Sequence, residues 1–132
     1  GIKVGDGGQT TGRLNLTVYP TSDFKFNLAL FGADNIFSNI NAEDFDEPDG
    51  GNAQLPAYKL FDFGAGYNFD LFGNNAYLRL NINNIFDEEY YPEMENNYLA
   101  TDDSTNYMGI NTANRIFPGW GRTWNVGLTY RF

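Results

Sequence analysis

The chain contains no cysteine and no histidine. The first absence excludes disulfides and thiol chemistry, and the second excludes an imidazole base or nucleophile partner. Together they remove the usual zinc ligand sets. No long unbroken apolar run occurs, so a transmembrane helix, which needs about 20 such residues, is not encoded. Basic residues are scarce: 8 Lys and Arg stand against 17 Asp and Glu, a net charge of −9. That balance argues against nucleic acid as a partner.

Aromatic residues are abundant instead. They make up 17% of the 132 residues, and 15 glycines accompany them, a combination that favours β structure. Five segments alternate at period two: 11–20, 23–37, 57–70, 75–86 and 121–132. Each is long enough to cross a bilayer as a tilted strand, which takes about nine to eleven residues. The connections alternate too. "TSD" and "LFGN" are short, whereas 38–56 and 87–120 are long, polar and acidic. Short turns at one end and long loops at the other are the habit of outer-membrane barrels.

The two parities have different chemistry. One holds Leu14, Leu16, Val18, Phe24, Phe26, Phe63, Tyr67, Leu78, Leu80, Trp124, Val126 and Leu128, with no charge among them. The other holds Asn, Thr and Gly with Arg13, Lys25, Asp62, Arg79 and Arg131. A soluble sheet buries the first face, and a membrane barrel turns it to lipid. Aromatics near both strand ends, and a polar face of Asn, Thr and Gly rather than Lys and Glu, favour the barrel. The expected fold is therefore all-β: an antiparallel up-and-down meander of about five transmembrane strands. On the inward parity, Asp62 and Arg79 are expected to pair across neighbouring strands.

The final residues "NVGLTYRF" resemble the C-terminal assembly signal of bacterial outer-membrane proteins, with Asn125, Gly127, Leu128, Tyr130 and Phe132 at the pattern positions. Upstream, "NINNIFDEEYY" supplies Asn81, Asn84, Ile85, Phe86, Asp87 and Tyr90, and "GRTWNVG" supplies Arg122 and Trp124. These stretches resemble the last strands of TonB-dependent outer-membrane receptors. The resemblance implies a place at the C-terminal end of a larger barrel of about 22 strands. It also implies a plug and a TonB-binding segment elsewhere in a longer precursor, import of a scarce nutrient (siderophore-iron, cobalamin or a glycan), and no enzymatic step. The implied partners are outer-membrane lipid, the rest of the barrel and plug, TonB, the β-barrel assembly machinery and a small nutrient ligand. Two other readings stay open: a segment of a TonB-independent porin, and a soluble all-β binding module.

The long loops carry the remaining chemistry. Glu43, Asp44, Asp46, Glu47 and Asp49 precede Gly50 and Gly51, but their spacing is not that of a calcium loop. They read as a solvated acidic segment, and no metal or cofactor is expected. Glu88 and Glu89 are adjacent carboxylates with no reason to be buried, so they make a poor acid–base pair. Tyr91 and Tyr98 are candidates to stack on an extracellular ligand, whereas Tyr90 is expected in the outer aromatic girdle.

Overall fold

The structure is a computed structural model that describes residues 7–38, 53–95 and 98–132. The acidic run 43–51, with its calcium question, lies outside the described residues. The fold is all-β, and no helix occurs among the described residues.

Among the described residues ten strands follow in chain order: β1 (Gly8–Val18), β2 (Phe24–Phe37), β3 (Gln54–Leu55), β4 (Tyr58–Leu71), β5 (Asn74–Asn83), β6 (Glu93–Met94), β7 (Asn106–Tyr107), β8 (Ile110–Asn111), β9 (Ile116–Phe117) and β10 (Thr123–Tyr130). The five long ones are the five expected meander strands, and they lie side by side as β1-β2-β4-β5-β10. The small β3 adds to β2, while β6 pairs with β9 and β7 with β8. The segment 87–120 therefore contains four short strands where only loop was expected. β5 also stops three residues early, because Asn84 turns into the left-handed region at φ 51°.

The register confirms the division into faces. Phe63, Ile82 and Trp124 share one row, Ala65, Leu80 and Val126 the next, and Tyr67, Leu78 and Leu128 a third. The opposite face carries Gly64, Asn81 and Asn125, then Gly66, Arg79 and Gly127, then Asn68, Tyr77 and Thr129. Period-two alternation fixes this only if no strand slips by one residue, since a slip would exchange the faces.

The described residues form two compact units, one drawn from 7–12, 32–38, 53–58, 89–95 and 98–119, the other from 13–31, 59–88 and 120–132. The first holds most of the buried apolar side chains. Ile36, Leu55 and Met94 are almost fully enclosed, and Phe37, Tyr91 and Ile110 are buried with them. A loop region read from sequence as polar thus has its own small core.

The second unit is a sheet whose apolar face is not enclosed. Its aromatics pack laterally instead. Phe24 stacks on Tyr67 at 4.2 Å between ring centroids, and Tyr67 on Phe69 at 5.4 Å. Such offset pairs add about 0.5–1.5 kcal/mol each beyond area burial. The β4–β5 connection is a two-residue turn of Phe72 and Gly73, both at positive φ (53° and 81°). That geometry matches the twist of the strands but suits Asn-Gly far better than Phe-Gly. Phe72 is 91% exposed, so packing within the chain does not offset its strain. Phe72→Asn is expected to stabilise the hairpin by about 1 kcal/mol, read as a higher urea midpoint in detergent micelles. An unchanged or lower midpoint would show that the Phe72 ring makes a stabilising contact.

Candidate functional site: an exposed apolar face and the clip that fixes its strands

The residues singled out in sequence fall into three groups. The first is the apolar face. Leu14, Leu16, Val126 and Leu128 are exposed on it, and Trp124 is 71% exposed. Leu28, Leu78 and the Phe24–Phe26 pair are also open. A soluble monomer rarely leaves a contiguous apolar surface of this extent uncovered.

The second group is the turn after β5. Asn84 lies only 4% exposed at its centre. Its side-chain Nδ2 donates to the carbonyls of Glu88 (3.0 Å) and Trp120 (3.3 Å), and its Oδ1 accepts the Glu88 N–H at 2.9 Å. Its own N–H donates to Asp62 Oδ1 at 2.9 Å. Asp87, also at positive φ, takes the Arg122 N–H on Oδ1 at 2.8 Å. The Ile85 N–H donates to the Phe61 carbonyl at 2.8 Å, and Phe86 meets Phe61 edge-on at 5.1 Å. Asn84, Ile85, Phe86, Asp87 and Arg122 thus form one clip between the ends of β4 and β5 and the start of β10. Asn and Asp suit this work because they tolerate the left-handed region and bond to nearby backbone.

The expected Asp62–Arg79 pair does not form. The register sets Arg79 opposite Gly66 and Gly127, two rows or more from Asp62, whose carboxylate is occupied by the clip. Opposite charges on the same face pair only when they share or adjoin a row.

The third group is the end of β10. Asn125 Oδ1 accepts from Asn81 Nδ2 at 3.1 Å on the polar face. The Arg79 guanidinium lies over Gly127, within 3.5 Å of where a Cβ would stand. Tyr130 Oη accepts from Asn74 Nδ2 at 2.9 Å and donates to the Leu71 carbonyl at 3.2 Å. Tyr130 therefore ties the last strand to both sides of the β4–β5 turn. Phe132 is fully exposed.

The loop tyrosines divide. Tyr90 packs tilted against Tyr58, 4.6 Å between ring centroids and 37° between planes, and its ring lies where a Cβ of Gly119 would stand. The Gly119 N–H donates to the Tyr90 carbonyl at 2.8 Å. Only glycine permits this approach. Gly119→Ala is expected to displace the Tyr90 ring and cost about 1–3 kcal/mol, visible as lost near-ultraviolet aromatic signal and a lower unfolding midpoint. Retention of both would place the ring elsewhere.

Tyr91, expected as a candidate ligand contact, is buried, and its hydroxyl donates to Glu89 Oε1, which also accepts from Tyr107 Oη at 3.1 Å. That carboxylate, with burial, pushes the Tyr91 hydroxyl pKa well above the ordinary tyrosine value. Its ring is not free to stack on a ligand. Tyr98 stays 54% exposed, with its backbone held on both sides by Asn114, which is buried and bonds the Tyr98 N–H (2.8 Å) and carbonyl (2.7 Å). Gly119 and Asn114 escaped sequence reading because neither sits in a periodic segment. No cluster of three or more metal-ligating side chains occurs among the described residues. Comparison of the chain with known family models, with curated proteins and with solved structures gives no match.

Proposed function

We propose that this chain is the C-terminal barrel segment of a TonB-dependent outer-membrane receptor that imports a scarce nutrient. Its work on this reading is binding and gated passage, not bond making, and its setting is the bacterial outer membrane. The observation that carries the reading is the apolar face. Five adjacent strands present aliphatic and aromatic side chains on one face, with Trp124 and Leu128 mostly uncovered. In water such a face is costly, at about 25 cal/mol per Å² of apolar surface; in lipid it costs nothing.

Two further features support it. Among the described residues the sheet ends on β1 at one side and β10 at the other, an arrangement compatible with further strands of a barrel at both edges. Five of the eight residues carrying the receptor resemblance build the clip, which gives Asn84, Asp87 and Arg122 a shared structural task.

The test is partition. The chain, refolded with vesicles of phosphatidylethanolamine and phosphatidylglycerol, is expected to float with lipid and to protect β4, β5 and β10 from protease. A monomer that stays soluble in plain buffer refutes the membrane reading in favour of a soluble binding module. A plug and a TonB-binding segment upstream in the precursor distinguish the receptor from a porin.

A further inference from the structure

We propose that the polar face of the sheet carries a binding site for a small oxyanion, a phosphate or a carboxylate, in the depression lined by Asn68, Asn75, Tyr77, Thr129 and Arg131. The depression encloses about 310 Å³. Asn68, Tyr77 and Thr129 share one row across β4, β5 and β10. The Arg131 N–H donates to the Asn75 carbonyl at 3.1 Å, which sets these two residues beside each other at the short-turn end. The lining offers one guanidinium, two carboxamides and two hydroxyls, and no carboxylate. This donor set suits an oxyanion: the guanidinium supplies a charge-assisted fork, and the neutral groups take the remaining lone pairs.

The charges around it are mixed: Asp70 stands opposite Asn75 in the row that Arg131 joins and Asp23 lies beside Asn68, while cations occupy the next row. Glycines flank Arg79, and the space over them is taken by the Tyr77 hydroxyl at Gly66 and by the Arg79 guanidinium itself at Gly127. Lys25 stands opposite Gly66, as shown by the pairing of Asn68 with Asp23 and the closeness of Asn27 to Gly64 on either side. Lys25, Arg79 and Arg131 thus share this face. The described residues contain one salt bridge, Arg115–Glu95, and it involves none of them. The acids nearest on this parity are Asp23, Asp62 and Asp70; Asp62 is held by the Asn84 N–H, and the other two lie within 4 Å of no cation. Lys25, Arg79 and Arg131 therefore form no ion pair among the described residues. A guanidinium with no carboxylate bonded to it keeps its donor fork free for an anion. The inference depends on the polar face alone, whatever medium meets the opposite one.

Inorganic phosphate titrated into the full chain in zwitterionic micelles, at ionic strength held constant with chloride, tests it by NMR. Saturable shifts are expected at Asn75, Thr129 and Arg131. Arg131→Gln is expected to weaken the apparent affinity about tenfold or more, Thr129→Val by less, and Arg115→Gln not at all. A parallel citrate titration identifies the preferred oxyanion, phosphate or carboxylate, by which saturates first. Shifts that stay linear for both anions overturn the proposal. So does a saturation curve that neither Arg131→Gln nor Thr129→Val moves; the second variant keeps the test valid if the first fails to fold. A chain that proves soluble is titrated in plain buffer, so failure of the membrane reading and failure of the anion site remain distinguishable.

Discussion

Leu128→Lys is expected to lower insertion into vesicles by about 2–4 kcal/mol, while Thr129→Lys, one residue along, has little effect. Leu128 lies in the same row as Leu78 and Tyr67, midway along the edge strand β10 on the apolar face. It is 59% exposed, so in water a lysine there replaces an already solvated side chain, and the cost stays within about 0.5 kcal/mol. In lipid the same change places an ammonium group at mid-membrane depth, where the penalty is about 2–4 kcal/mol. Thr129 faces the other way, beside Tyr77. The pair of variants therefore separates lipid contact from general fragility. The inserted fraction, read by heat-modified electrophoretic mobility or urea titration on vesicles, should fall for Leu128→Lys only. Equal losses for both variants would mean that the apolar parity does not meet lipid.

Asn84→Ala is expected to cost about 3 kcal/mol or more in the unfolding free energy of the chain in micelles. The substitution removes three hydrogen bonds, to the carbonyls of Glu88 and Trp120 and from the Glu88 N–H, at a buried side chain in an otherwise exposed turn. Each lost bond costs about 0.5–1.5 kcal/mol net. Alanine also resists the φ of 51° that this position adopts, at about 1–2 kcal/mol. Asn84→Gly removes the same bonds but accepts the dihedral, so it should be milder than Asn84→Ala by about 1 kcal/mol. If alanine and glycine are equally tolerated, the turn does not use its left-handed conformation and the clip is not what holds the end of β5.

The sheet was legible because its information is local and redundant. Five segments repeat one two-residue rule, and their short and long connections alternate in step with it. The assignment of Trp124, Val126 and Leu128 to one face needs no knowledge of their neighbours. The clip was legible in another way. Resemblance marked Asn84, Asp87 and Arg122 as belonging together, but gave no reason. The reason is a backbone conformation at Asn84 and Asp87 that no alternation pattern encodes. The Asp62–Arg79 pair failed for a related reason: parity gives the face, whereas the partner depends on register, which a turn fixes. The core of the loop unit was not legible. Leu55, Met94 and Ile110 are isolated apolar residues in stretches read as loop, and only the folded chain brings them to Ile36 at the end of β2. Tyr91 looked available because an aromatic in an acidic loop is usually exposed; here Glu89 and Tyr107 hold it in that core.

The central claim is that the apolar face meets lipid, and Trp124 reports on it most directly. In a Trp120→Phe background Trp124 is the remaining indole, since the chain has 2 tryptophans. With vesicles, its emission should shift to the blue and be quenched by lipids brominated on the acyl chain, while aqueous iodide leaves it largely untouched. Emission near that of free indole in water, quenched by iodide and indifferent to brominated lipid, would contradict the account.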